Sequence, residues 1–232
     1  VRKYKEAEQH EKFAVAVDGP AGSGKSTVAK EIAKALGILY IDTGAMYRTV
    51  GMACLKKGID PADEGAVVAS LDDLDMKIFP EAGGQRILLD GEDITSHIRT
   101  EEIGKAASSV AAYQKVREKL VEIQQGLAKE QSVIMDGRDI GTKVLPDAEV
   151  KIYLDASVEE RAKRRVGELE AQGKTADLEI IREEIAHRDY QDMHRENSPL
   201  CRAEDAVNVD TTGLDIPAVT EKLLALIAEK TK

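Results

Sequence analysis

The chain has 232 residues, 42% of them hydrophobic, and carries 43 acidic against 33 basic side chains, a formal net charge of −10 at pH 7. That length holds one good core with an insertion, and no apolar run approaches the length of a membrane span. An acidic chain with no Trp and 3% aromatic residues is a poor track for nucleic acid, which takes basic charge and stacking faces. An anionic ligand must therefore be drawn in by a local cluster of arginines.

Val1 to Lys12 is polar and charged, without the apolar region of an export signal, and reads as a disordered tail. Cys54 and Cys201 match no metal or redox spacing, which suits reduced thiols in a cytoplasmic protein. His10, His97, His187 and His194 show no ligand pattern. The acidic surface, with no obvious sticky stripe, points to a monomer.

Phe13-Ala-Val-Ala-Val17 is an apolar run without alternation, as in a buried parallel strand, and Gly19-x-x-x-x-Gly24-Lys25-Ser26 follows at once. Strand, glycine loop and helix in that order make a P-loop. Glycines at 19, 22 and 24 let backbone N–H groups curl around a phosphate, and the positive end of the next helix adds to them. Lys25 would reach the outer phosphates and Ser26 would ligate a magnesium ion bridging them. The consequence is a nucleoside triphosphate site.

The helix after the loop carries Val28, Ala29, Ile32, Ala33 and Leu36 on one face and stops at Gly37. Ile38 to Ile41 is a second strand, followed by Asp42-Thr-Gly-Ala-Met-Tyr-Arg48 and a helix to about Lys57. Parallel strands run the same way, so Thr43 to Arg48 should share the P-loop's sheet edge. From about Pro61 to Thr100 the pattern changes. A short helix over Ala62 to Leu74 precedes strands at Met76 to Phe79, Arg86 to Leu89 and Asp93-Ile94, with turns at Gly83-Gly84 and Asp90-Gly91. This is an inserted antiparallel meander. Helices follow over Glu101 to Ala112, which carries Ser108, and over Gln114 to Lys129, which carries Arg117.

Ser132 to Met135 is a further strand, ending in Asp136-Gly-Arg-Asp139-Ile-Gly-Thr142. Asp136, after a buried strand, is the candidate carboxylate for magnesium. Val150 to Leu154 is the fourth strand, and Ser157-x-x-Glu160 reads as a capping box. The helix beyond it bears Arg161, Arg164 and Arg165 and breaks at Gly173-Lys174. The next bears Arg188, Asp192 and Arg195 on one face. Taken alone, these helices are an exposed, salt-bridged pair; opposite a P-loop, an arginine-bearing helical pair has the form of a lid. Ala206 to Asp210 is a fifth strand, and an amphipathic helix runs from about Pro217 to Glu229.

Asp18-Gly-Pro-Ala-Gly-Ser-Gly-Lys-Ser-Thr27, Asp42-Thr-Gly-Ala-Met-Tyr-Arg48, Asp136-Gly-Arg-Asp-Ile-Gly-Thr142 and Arg188-Asp-Tyr-Gln-Asp192-x-x-Arg195 together closely resemble the bacterial cytidylate kinases. The resemblance runs from about Phe13 to Lys230 and includes the insert. It implies a three-layer α/β/α P-loop kinase with a central parallel sheet of about five strands. Residues 13–60, 101–156 and 197–232 would form its core. Residues 61–100, with parts of 101–117, would form an NMP-binding subdomain, and 157–196 a helical lid.

The implied reaction is direct in-line transfer from ATP to CMP and dCMP, with magnesium. By the same resemblance Gly19, Pro20, Ala21, Gly22, Ser23, Gly24, Lys25, Ser26 and Thr27 would bind ATP. Ser108, Arg117 and Asp139 would read cytosine, with Thr43 and Tyr47 beside the acceptor. Arg48, Arg138 and Arg195 would hold its phosphate, and Arg188 and Asp192 would approach the ribose. Lys25, Arg138, Arg161, Arg165 and Arg188 are the candidates for stabilising the transferred group, and Ser26 and Asp136 for holding the metal. Thr43 stands where some relatives carry serine. Kinases of UMP, AMP, dTMP or shikimate stay open as alternatives, as does a nucleotide-driven switch, although no Asn-Lys-x-Asp guanine motif is present.

Overall fold

The computed structural model describes residues 12–81 and 84–231. The expected tail lies outside the described residues except for Lys12, as does Gly83 of the expected Gly83-Gly84 turn. In chain order the elements are β1 (Ala14–Asp18), α1 (Lys25–Leu36), β2 (Leu39–Asp42), α2 (Thr43–Lys56), α3 (Glu64–Ala69), β3 (Met76–Glu81), β4 (Gly84–Leu89) and β5 (Glu92–Asp93). There follow α4 (Glu101–Val110), α5 (Gln114–Glu130), β6 (Val133–Gly137), a π-helical turn (Ile140–Val144), β7 (Val150–Asp155), α6 (Val158–Ala171), α7 (Leu178–His194), β8 (Val207–Asp210) and α8 (Ile216–Lys230).

Five parallel strands form the main sheet in the order β2-β6-β1-β7-β8. Both its faces are covered, as all-parallel sheets require, so its strands read as continuous Val/Ile/Ala runs. On one face Val15, Val17, Ile134 and Ile152 pack against Ile32 of α1 and Leu223 and Ile227 of α8. On the other, Ala16, Ile41 and Met135 pack against Met46 and Val50 of α2 and Val116 and Leu120 of α5. Because β1 sits between β6 and β7, the chain leaving β1 must skip over β6 to make β2. The crevice this opens lies at the carboxyl edge, where open α/β sheets bind ligands. Register brings Asp42 opposite Asp136, and Asp18 opposite Gly137, along that edge.

The second sheet, β3-β4-β5, is antiparallel. Its β4 to β5 connection is Asp90-Gly91, with φ of 51° and 80°, the left-handed pair that a tight hairpin requires. Ile87, Leu89, Ile94 and Ile98 share a core with Ala45 and Ala53 of α2 and Ile103 of α4, so the meander packs onto the main body. Gln85 bonds both ways to the Asp42 backbone, its Oε1 accepting from Asp42 N–H at 3.0 Å and its amide donating to Asp42 O at 3.1 Å. Arg99 completes the attachment by pairing with the Asp42 carboxylate at 2.7 Å.

Three local expectations are corrected. The helix expected over Ala62 to Leu74 is confined to Glu64–Ala69. Asp63 caps its start, Ser70 Oγ bonds back to Val67 O at 2.7 Å, and Asp72 and Asp73 beyond would oppose the negative end of any extension. The capping box at Ser157 is half a box: Ser157 Oγ accepts from Glu160 N–H at 3.2 Å, but the Glu160 carboxylate pairs with Arg164. Arg195 does not continue the helix of Arg188 and Asp192, because α7 ends at His194 and Arg195 is extended, with Nε donating to Ser198 O at 2.7 Å.

Candidate active site

The loop after β1 is built as its glycines require. Gly19 has φ of 147°, and a Cβ there would lie 2.0 Å from Leu154 O of β7; Gly24, at φ 89°, caps α1. At Gly19 any side chain would have to move backbone, and at Gly24 the left-handed φ is what favours glycine. Lys25 is buried and folded inward, donating to Pro20 O at 2.5 Å and to Ser23 Oγ at 3.3 Å. Burial, then the Arg138 charge, lower its ammonium to about 7. Lys25 is therefore a cation whose charge a polyphosphate would restore.

Ser26 Oγ donates to Asp136 Oδ2 at 2.8 Å, and Tyr40 OH donates to the other carboxylate oxygen at 2.8 Å. Burial, then the neighbouring Asp42, push Asp136 up to about 6, so a cation beside it would stabilise its ionised form. A hydroxyl next to a carboxylate is a hard-oxygen donor pair of the kind magnesium takes. Among the described residues no group of three or more His, Cys, Asp or Glu side chains could hold a metal by itself. An ion here would draw its remaining ligands from phosphate and water, which is how magnesium is usually held at nucleotide sites.

Across the crevice lies a group of arginines. Arg138 Nε donates to Asp192 Oδ2 at 2.8 Å. Burial raises the Asp192 carboxyl, but Arg138, Arg188 and Arg195 more than offset this and hold it below the usual range. Arg188 is lowered to about 10 by burial and then by Arg138, with Arg48 adding to it, and its Nε is buried without a partner. Burial and the charges of Arg99, Arg138 and Arg165 likewise lower Arg48. Gly104 of α4 leaves room for this arginine, since a Cβ there would sit 3.2 Å from its guanidinium. Mutually repelling guanidinium groups with an unpaired buried donor form an anion site.

Beside them is a second, drier cluster. Arg117 and Asp139 are both buried and directly paired. The Arg117 guanidinium lies 5.4 Å from the centre of the Tyr47 ring, and Arg195 approaches the other oxygen of Asp139 at 3.7 Å. Ser108 is half-buried on α4. Thr43 Oγ1 donates to Asp136 O at 2.8 Å, tying the start of α2 to β6.

The expected residues are thus not all placed alike. Lys25, Ser26, Asp136, Arg48, Arg138, Arg188 and Asp192 gather at one edge. Arg165 is exposed and paired with Glu168 on its own helix at 3.0 Å. Every donor nitrogen of Arg161 is committed: to Ala156 O at 2.9 Å, to Ala21 O of the P-loop at 3.1 Å and to Asp189 at 2.6 Å. Sequence reasoning also passed over Tyr40, Asp189 and Asp18. Asp18 lay within the quoted motif, where an apolar strand ending in a carboxylate was the available signal.

A glycine loop joining a parallel strand to a helix, a hydroxyl–carboxylate pair beside it and an arginine anion site opposite define a P-loop phosphotransferase. A family profile described as cytidylate kinase matches residues 15–229. The cytidylate kinase of Caldicellulosiruptor saccharolyticus is 52% identical over 215 residues, 93% of this chain and 95% of that protein. That of Geobacillus sp. strain WCH70 is 50% identical over 216 residues, 93% of this chain and 96% of its own. The solved structure of an uncharacterized protein from Eubacterium ventriosum shares the fold, with a TM-score of 0.53 at 12% identity, covering 94% of this chain and 99% of that one. The chain belongs to the cytidylate kinase family.

Proposed function

We propose that the protein transfers the γ-phosphoryl group of ATP to CMP and dCMP, giving CDP and dCDP with ADP. The observation that carries this reading is the unpaired Arg188 donor among Arg48 and Arg138, facing the P-loop, with the Arg117–Asp139 pair at its side. The loop from Gly19 to Thr27 holds the triphosphate, and Lys25 swings from Pro20 O to its outer oxygens. Arg48 and Arg138 hold the acceptor phosphate, as the resemblance implies. Arg188, placed by it at the ribose, joins them because its free donor lies among their charges. Arg195, placed by it at the phosphate, lies beside Asp139 and with Asp192 flanks the site towards the ribose. That phosphate is already anionic at neutral pH, so no side-chain base is needed, and the chain's work is alignment and charge stabilisation. Ser26 and Asp136 would hold magnesium, which supplies further charge neutralisation when bound.

The base is read by Asp139, which accepts from the exocyclic amine of cytosine, while Arg117 and Ser108 face the ring acceptors. Uracil carries a carbonyl where cytosine has the amine, and a buried carboxylate facing it would lose its donor. Residues 61–100, with parts of 101–117, serve as the acceptor subdomain and 157–196 as the lid. Arg161 holds that lid to the P-loop, and Arg165 reaches the moving group only if the lid closes. No described helix is long and apolar enough to cross a membrane; a cytoplasmic monomer that binds no nucleic acid is the form that suits the free cysteines and the acidic surface. A coupled assay of ADP release with magnesium-ATP against CMP, dCMP, UMP, AMP, dTMP and shikimate tests the reading. Fast turnover with CMP and dCMP alone supports it; preference for any other acceptor removes the base pocket.

A further inference from the structure

The π-helical turn that follows Asp139 poses a capping problem. Asp139 stands at its N-cap position, with φ −147° and ψ 28°, and its backbone carbonyl accepts from Lys143 and Val144 at 2.9 and 3.2 Å. The first N–H groups of such a turn have no acceptor within it. An Asp at this place ordinarily supplies one from its own side chain. Asp139 makes no such bond; its carboxylate points to Arg117 instead.

The acceptors come from another strand. Asp18, the last residue of β1, takes Ile140 N–H on Oδ1 and Gly141 N–H on Oδ2, each at 2.7 Å. Its carboxylate is 4% exposed, and both its bonds go to this turn rather than to the P-loop it precedes. A Cβ at Gly141 would meet the Lys151 stem at 3.3 Å and Asp18 Oδ2 at 3.4 Å, so the turn lies in contact with the carboxylate that caps it. We infer that Asp18 caps this turn in place of Asp139 and so leaves the Asp139 carboxylate free to read the acceptor base. Asp18 is then a positioning residue for specificity, acting through Asp139. This rests on the reading of Asp139 as the partner of the cytosine amine.

With Asp18 lost, the two N–H groups would have no acceptor, and Asp139, at the N-cap position, carries the carboxylate placed to take them. Turning inward would withdraw it from Arg117 and from the base. Asp18→Asn keeps the size but sets an amide donor against one of the two N–H groups.

The test measures kcat/KM for CMP and for UMP in Asp18→Asn, in Asp139→Ala and in the double variant. Asp18→Asn is expected to lower the CMP-to-UMP ratio about tenfold or more, the order for a lost charge-assisted hydrogen bond. In the Asp139→Ala background the same change should lower it no further; a fall of the ratio in the single variant that vanishes in this background is what a merely structural role would not produce. If Asp139→Ala lowers the ratio while Asp18→Asn scales both substrates equally, the inference is overturned and the base reading stands. If Asp139→Ala leaves the ratio intact, the base reading falls and the inference with it. Should Asp18→Asn fail to fold, Asp18→Ser decides: its smaller hydroxyl accepts from at most one of the two N–H groups at a time, and a fall of about threefold, a weakened rather than lost capping, is expected. An unchanged ratio there overturns the inference.

Discussion

Arg161 is the residue for which sequence and structure give different roles, and one experiment separates them. It is buried; Nε donates to Ala156 O just before α6, and the two terminal nitrogens tie α6 to the P-loop carbonyl of Ala21 and to Asp189 of α7. Removing one member of a buried ion pair leaves the other charge uncompensated, at a cost of about 3 kcal/mol or more. Asp189→Ala and Arg161→Ala should each lose that much. For a chain of this length that lowers the thermal midpoint by roughly 6–12 °C. The double variant orphans neither charge and should cost less than the sum of the singles. A guanidinium that contacts the moving phosphoryl group is worth about 10³ to 10⁵ in rate; an anchor is worth far less. Thermal unfolding and initial rates on the two single variants and the double therefore decide. Small losses of kcat with strongly coupled stabilities support the anchor. A loss of kcat of roughly 10³ in Arg161→Ala, with the midpoint unchanged and Asp189→Ala near normal, would refute it.

Three further outcomes follow from the site. Lys25 is lowered to about 7 in the free protein, so above that pH it is largely neutral, and a bound triphosphate should restore its proton. Calorimetry in buffers of different ionisation enthalpy should find uptake of close to one proton per ATP at about pH 8.5, and little at about pH 6; equal uptake at both would contradict the assignment. Arg188→Ala should raise KM for CMP about tenfold or more while changing KM for ATP little; a shift in ATP alone would move Arg188 to the donor side. Asp136→Asn should raise the magnesium concentration for half-maximal rate by roughly 10–100-fold, and an unaltered requirement would remove Asp136 from the metal site.

The donor half of the site was legible because its chemistry is local. Glycines at fixed offsets, a lysine and a hydroxyl all lie within eight residues of Gly19, and periodicity placed the strand and helix around them. The proposed acceptor half is assembled from α2, α5, the segment after β6 and α7, and only family resemblance joined Arg117 to Asp139 before the fold did. What stayed hidden depends on direction rather than position. Arg161 and Arg165 are four residues apart on one helix, yet one is buried with every nitrogen bonded while the other faces solvent. Asp18 caps a turn 122 residues away, a relation set by the pairing of β1 with β6 that no local pattern carries. The helix expected to reach Leu74 failed for the reverse reason: the apolar residues were in place, but Asp72 and Asp73 disfavour a helix end there.

The most direct measurement follows the phosphoryl group itself. With γ-labelled ATP, magnesium and CMP, label should appear in the β-phosphate of CDP, in step with ADP and with little free phosphate. Label released as inorganic phosphate, with CMP left unchanged, would contradict the transfer and leave a nucleotide hydrolase in its place.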